Sequence, residues 1–293
     1  MFRTTLLVAL AALLLVEPAA ARERRNLNVL QENARAIEGG RAVYVLVTQP
    51  ELHVAINPSG IGATASGGLI GAIIDSSIEQ NRANNAEAGI TPIRATLFDF
   101  NVDAMAIDAT NAATSALPWF GGQAVAFGRD NSPYTKNAAL DAATANQVAF
   151  FEYGYELLPD FSAVRVTASI SIANKVAEVR RPEQRLQPRY LAYSQSVISV
   201  VQLPNATERE ENAARWAAND GALTRQALTG AFNEISVLMP RALQWTDADV
   251  EAAADRPRST NRDYPGARTL EDSGDGALLY SMGGVVHVQT LGQ

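Results

Sequence analysis

Three aspartates are the residues of this chain whose types and spacing could do acid–base chemistry. Asp99 and Asp103 are four positions apart, and Asp108 follows in the same segment, where apolar residues recur at helical spacing. Residues four apart lie on one face of a helix, and two carboxylates there could act as acid and base or ligate a hard cation. The same pattern is typical of a solvated helix face. Asp99, Asp103 and Asp108 are therefore the catalytic candidates, and no metal site is predicted from them.

Other residues that could carry chemistry are few. His53 and His287 are the two histidines, and each lies in an apolar, strand-like run, so a structural role is expected for both. The chain lacks cysteine, which excludes disulfides, thiolate metal sites and a cysteine nucleophile. Neither a Gly-x-Ser-x-Gly elbow nor a Gly-x-x-x-x-Gly-Lys phosphate loop occurs. We therefore expect a non-enzymatic protein without a cofactor.

Residues 54–74 carry no charged side chain and suit the inside of a fold, a partner surface or lipid. From Ala63 onward the pattern is helical, and Ala63, Gly67 and Gly71 form a stripe without side-chain bulk, which favours close packing. We expect a buried helix over residues 63–88 that ends at Gly89, with Gly67 and Gly71 as partner-binding candidates if it faces another molecule. A dinucleotide loop at residues 60–65 is disfavoured, because the acidic residue it needs would fall on the helix and not after the next strand.

A second partner-binding candidate is an arginine-rich connection between two predicted strands. It contains Arg180, Arg181, Arg185 and Arg189. Guanidinium groups at this density suit anionic lipid, a cell-wall polymer or a carboxylate-rich partner. The alternative is a solvated hairpin loop, since two glutamates dilute the charge.

The first 21 residues resemble a signal peptide in layout. Arg3 precedes eleven apolar residues at 6–16, and small residues at 19–21 suit cleavage after Ala21. The arginines that follow at once disfavour translocation, which leaves an uncleaved anchor as the alternative. The net charge of −7 disfavours nucleic acid as a partner. Arginine far outnumbers lysine, which suggests a GC-rich bacterial genome, so we expect a periplasmic or secreted protein.

The elements that must position these residues predict an α+β fold: a largely antiparallel sheet with helices packed on one face. The helices include the glycine-striped buried helix and a long amphipathic helix that begins at a Thr207 capping box, breaks at Asp220–Gly221 and bends or ends at Pro240. Further helices are expected from Thr91, over 137–147 and from a cap at Thr246 to Ala254. The predicted strands are 41–48, 52–57, 124–127, 148–157, 163–172, 190–203, 277–280 and 285–291.

These elements divide the chain into a signal peptide (1–21), a polar segment (22–40), an α+β domain (41–255), an exposed loop or linker (256–276) and a C-terminal hairpin (277–293). The expected function is a binding or assembly module of the cell envelope that recognises an envelope protein or itself. Two alternatives stay open: a carboxylate-dependent hydrolase acting on envelope glycans, and a protein associated with a membrane surface.

Overall fold

The structure is a computed structural model, and it describes residues 28–55, 77–121, 125–175, 186, 191–273, 276–281 and 284–292. Of residues 77–85 and 273 it describes the backbone alone. The predicted signal peptide and the glycine-spaced stretch with Gly67 and Gly71 lie outside the described residues. So does the arginine-rich connection, except for Leu186.

Fifteen elements make up the described chain. They are α1 (Glu32–Arg35), β1 (Arg41–Val47), β2 (His53–Val54), α2 (Ser77–Thr96), α3 (Val102–Ser115), β3 (Val125–Gly128), α4 (Pro133–Ala142), β4 (Gln147–Leu157), β5 (Ala163–Asn174), β6 (Leu191–Gln202), α5 (Arg209–Gln244), α6 (Asp247–Ala254), β7 (Arg268–Ser273), β8 (Gly276–Ser281) and β9 (Gly284–Thr290).

The strands form one mixed, mostly antiparallel sheet in the order β3-β1-β4-β5-β6-β9-β8-β7. The long β4–β5 and β5–β6 ladders are antiparallel, as is the closing β7–β8–β9 meander. Parallel pairs join β1 to β3 and β4, and β6 to β9. The α+β prediction is therefore confirmed. Strand β2 extends the line of β1, and both strands pair with β4.

Alternation along the central strands creates the two faces of the sheet. Phe151, Tyr153 and Tyr155 point into a main core that α2, α3 and α5 cover, and these residues are buried. On the opposite face, α4 covers one end of the strands through Leu140, which packs with Phe150 and its neighbours. The expectation that all helices share one face is thus wrong for α4, because the strands are apolar on both faces at that end.

The middle of this second face is polar and half-exposed. Thr167, Ser169 and Ser196 lie there between the cluster under α4 and a smaller cluster under Tyr264 and Ala267. The polar face of the β4–β5 hairpin is thus confined to a band, because both ends of the strands are covered.

Arg41 ties the beginning of the described chain to the sheet. Its side chain is 1% exposed and donates to the backbone carbonyls of Ala34, Arg35, Trp119 and Phe120. The guanidinium also stacks on both aromatic rings, with centroid distances of 5.1 and 5.2 Å. Burial lowers the pKa of Arg41 to about 10. The turn at residues 117–120 therefore packs into the main core beside a buried cation.

Several predicted helix ends are wrong because tertiary packing overrides local signals. Helix α2 passes through Gly89 and Pro92 to Thr96, and the next helix begins at Val102 instead of Thr91. A Cβ on Gly89 would lie 2.9 Å from the ring of Phe161, so the glycine allows close approach and does not stop the helix. The buried residues Ile90 and Ile93 hold this turn in helical form.

The long helix also differs from its predicted ends. Glu208 is its N-cap, without a side-chain bond, and the amide and hydroxyl of Thr207 donate to Asn212 instead. The break at residues 218–221 is confirmed, whereas α5 continues through Pro240 to Gln244. The Thr246 cap of α6 is confirmed as a capping box. The loop prediction for 256–276 is wrong at β7, which pairs with β8.

Candidate functional site at the ends of the parallel strands

Strands β1, β3 and β4 run parallel, so their carboxyl ends lie on the same side of the sheet. In open sheets, ligands favour the crevice at such ends. The first turn of α3 lies beside them, where Asn101 caps the helix by accepting from the amide of Ala104 at 3.0 Å. We name this region the strand-end corner and define it as residues 49–52, 94–103, 127–129 and 155.

An Asp103–Arg129 ion pair lies at the middle of the strand-end corner. Nη2 of Arg129 donates to Oδ2 of Asp103 at 2.5 Å, and Nη1 donates to the carbonyls of Val47 and Gln49 at 3.3 and 3.4 Å. The guanidinium lies 5.5 Å from the ring centroid of Phe127. Arg129 therefore joins the end of β1 to the start of α3, and its charge is already paired.

Arg94 makes a second set of contacts in the corner, between α2 and the chain before β2. Its Nε donates to the carbonyl of Leu52 at 2.7 Å and lies 3.4 Å from Oε2 of Glu51, while Nη1 donates to Glu87 at 2.5 Å. The Arg94 side chain is 19% exposed, and both glutamates are 59% exposed. Arg94, like Arg129, is held by carboxylates and carbonyls together.

Tyr155 lies beneath these charges and is buried. Burial raises the pKa of its phenol to about 12, and the carboxylates of Asp103 and Glu51 act in the same direction. The guanidinium groups of Arg129 and Arg94 oppose this effect. The phenol therefore stays protonated at neutral pH and does not act as a base. Since both arginines of the corner are paired, the arrangement suits binding better than proton transfer.

Two aromatic side chains of the strand-end corner face solvent. Phe98, on the turn between α2 and α3, is 96% exposed, and Phe127 on β3 is 40% exposed. Aromatic and arginine side chains are enriched in protein–protein interfaces and dominate their binding energy. The corner thus presents two exposed apolar rings, one of which, Phe127, lies against the paired guanidinium of Arg129.

The structure separates the three candidate aspartates. Asp99 lies on the turn before α3 and accepts from Arg225 at 2.5 Å, which lowers the pKa of its carboxyl. Asp103 pairs with Arg129, and Asp108 is exposed further along α3. The predicted single helix is interrupted at residues 97–101, so the four-residue spacing does not place Asp99 and Asp103 on one helix face.

The two histidines are also apart, because His53 is exposed on β2 and His287 lies on β9, with β4, β5 and β6 between them. Nδ1 of His287 is 3.2 Å from Oε1 of Glu234, close enough for an ion pair but misaligned for a hydrogen bond. Ser199 is the register partner of His287 in β6, and its buried hydroxyl has no partner among the described residues. Nε2 of His287 lies near Gly276 of β8, on the side away from Ser199. These groups therefore do not form a nucleophile–base pair.

A groove between α5 and α6 is the other concave surface of note. It has a volume of about 520 Å³ and is lined by Val237, Pro240, Arg241, Gln244, Trp245 and Asp249. It is shallow and open, and both of its charged groups are engaged. Arg241 binds Glu271, and Asp249 completes the capping box of α6.

In the part of the chain that the structure describes, no three His, Asp or Glu side chains are grouped so that they could hold a metal ion. None of the described helices is long and apolar enough to span a bilayer.

Of the predicted partner-binding residues, Gly67, Gly71 and the four arginines lie outside the described residues. Leu186, from the arginine-rich connection, packs on the cluster beside α4. Nothing in the sequence singles out Arg94, Arg129 and Tyr155 as a group: the parallel strands bring Arg129 and Tyr155 together, and the packing of α2 adds Arg94. One sequence signal could have indicated Arg129, which comes two residues after the predicted strand 124–127.

The comparisons give no relative: no family model matches the chain, and no curated protein or solved structure matches it.

Proposed function

We propose that this protein is a non-enzymatic, exported module of a bacterial cell envelope that binds another protein or itself through the strand-end corner. The observation that carries the proposal is the exposure of Phe98 and Phe127 in the corner that also holds the Asp103–Arg129 pair. Burying one such ring against a partner contributes about 1.5–3 kcal/mol. Two rings in the same corner as an arginine that is already held in place would form an anchor.

Two parts of this proposal rest on the sequence alone. Export is inferred from residues 1–21, and the tight packing of the glycine-spaced helix on the sheet is inferred from the spacing of Gly67 and Gly71. The arginines of residues 180–189 are proposed as a second contact region, for a carboxylate-rich partner.

The test uses the chain from Arg22 onward, in which Phe98 and Phe127 are both replaced by serine. Tyr134→Ser is the matched control, because Tyr134 is 84% exposed on α4, at the opposite face of the sheet. Self-association is measured by sedimentation over a range of concentrations, and partner binding by cross-linking to an envelope fraction. We expect the unaltered chain and the control to associate or cross-link equally, and the double variant to lose the interaction.

A chain that stays monomeric and forms no adduct would contradict the proposal, as would a double variant that binds like the control. The hydrolase and membrane-surface alternatives stay predictions of the sequence, because no contact of the described residues favours either. Loss of glycan hydrolysis in Asp99→Asn or Asp103→Asn would favour the former, and sedimentation with anionic vesicles the latter.

A further inference from the structure

We propose that the outer edge of β3 accepts an extended, uncharged segment of another protein as an additional strand. This inference rests on the proposed function, since it names how the strand-end corner would engage its partner. Strand β3 is the last strand of the described order and pairs on one side with β1. Among the described residues, no strand pairs with its other side. An edge strand presents unpaired backbone N–H and C=O groups to an incoming chain.

Strand β3 is short, but it lacks two other features that protect an edge. It reads Val-Ala-Phe-Gly, without charge or proline. The opposite edge of the same sheet is protected: β7 carries Arg268, Glu271 and Asp272, and its pairing with β8 shifts register between Thr269 and Glu271. Charged side chains and bulges of this kind discourage pairing with other chains. Within the described part of the chain, β7 is therefore better protected against pairing than β3.

The side chains of β3 also indicate what an added strand would carry. Phe127 points to the helix-covered face and is 40% exposed, so it offers an apolar contact to a side chain on that face of an added strand. Ala126 and Gly128 point to the other face and carry little bulk of their own, although Leu46 already fills the space beside Gly128, where a Cβ would lie 3.2 Å from its Cδ2. Side chains alternate between the faces of a sheet, so the incoming strand needs an apolar residue beside Phe127 and tolerates a larger one on the opposite side.

The length of β3 decides between a peptide and a second copy of this chain. Four residues span only about 13 Å. A stable interface between folded proteins buries about 800 Å² on each partner, which so short an edge does not supply alone. Two copies would also each bring a net charge of −7. An extended segment needs no such area and gains backbone hydrogen bonds directly, so we assign the edge to an extended segment of a different protein.

The experiment uses the chain from Arg22 onward and a short peptide that alternates valine with threonine and is blocked at both ends. Peptide binding should slow hydrogen exchange of the amides at residues 125–128 and leave exchange in β7 unchanged. Phe127→Lys places a charge on the edge of β3 and should weaken peptide affinity about tenfold or more, the loss expected for one buried ring. Asp272→Lys, on β7, is the matched control and should bind like the unaltered chain.

No change in exchange at residues 125–128 under saturating peptide would overturn the inference. So would equal affinity in Phe127→Lys. The exchange measurement uses the unaltered chain and therefore holds even if a variant unfolds. A dimer that forms without peptide and disappears in Phe127→Lys would show self-pairing, which overturns the assigned occupant but leaves the proposed function standing. If the double serine variant also keeps its partner, the strand-end corner itself is refuted.

Discussion

Two glycines of α5 should respond in opposite ways to the same substitution. Gly221 has a φ of +67°, and a Cβ there would lie 2.1 Å from Oγ1 and 2.8 Å from Cβ of Thr96. Gly230 lies in the regular part of the same helix, and a Cβ there would meet nothing within 4 Å. Gly221→Ala should therefore destabilise the protein, whereas Gly230→Ala should stabilise it.

The magnitude for Gly221→Ala has two contributions. A residue other than glycine in the left-handed region costs about 1–2 kcal/mol. Overpacking against α2 adds about 1–3 kcal/mol. Thr96 has no easy escape, because its own Cβ is too close and its hydroxyl donates to the carbonyl of Ile93 at 2.7 Å. We expect a total loss of about 2–5 kcal/mol, against a gain of about 0.5–1 kcal/mol for Gly230→Ala, from lower entropy of the unfolded chain.

Urea unfolding followed by circular dichroism measures both changes as shifts of the midpoint at constant m. Adding Thr96→Gly to Gly221→Ala should recover the stability lost to overpacking, because the clash involves the Thr96 side chain. The stability lost to the left-handed backbone should stay lost, because it does not depend on Thr96. The reasoning is refuted if Gly221→Ala is as stable as the unaltered chain, or if Thr96→Gly restores nothing.

Three further predictions concern charge and capping. Arg41→Met should lower the free energy of unfolding by about 1–3 kcal/mol, because the lost hydrogen bonds to four carbonyls outweigh the relief of burying a cation; a variant as stable as the unaltered chain would contradict this. Thr246→Ala should lower the free energy of unfolding by about 1 kcal/mol, measured by the same assay, because α6 loses its cap. An unchanged free energy of unfolding would show that the cap does not stabilise the protein. Burial raises the pKa of Tyr153, Tyr155 and Tyr193, so the native state keeps protons that the unfolded state releases. Stability should therefore be complete below about pH 10 and fall as the pH rises further, by about 1.4 kcal/mol per pH unit for each ionising tyrosine; urea midpoints that stay constant across that range would contradict it.

The central strands show why part of the fold could be predicted. In β4 and β5 the apolar residues alternate with polar ones, and a strand of period two has only one way to bury them. The register Phe151↔Ile170 follows from this alternation and from the short turn between the strands. The buried side of α5 was predictable for the same reason, since its apolar residues recur at helical spacing.

Local signals failed where distant residues compete with them. The sequence predicts that one helix ends at Gly89 and that the next begins near Pro92, yet α2 continues through both. The reason is that Ile90 and Ile93 are buried and that Phe161 packs against the glycine. The sequence predicts Thr207 as a helix cap, but its amide and hydroxyl donate to the side-chain oxygen of Asn212 instead. A glycine inside a helix costs about 1 kcal/mol and a proline about 3 kcal/mol, and burial of the two isoleucines, at about 1.5–3 kcal/mol each, offsets that cost.

The sequence alone determined the α+β fold class, through the alternating pattern of its strands and the apolar face of its long helix. It also showed that the chain lacks cysteine and has few catalytic motifs. Only the tertiary structure decided the sheet order, the placement of α4 and the strand-end corner. Asp103, Arg129 and Tyr155 are separated by 26 residues in each interval and meet because β1 pairs with β3 and β4 in parallel. Such pairing depends on long-range burial and backbone hydrogen bonding, and a local pattern of residues carries no record of it.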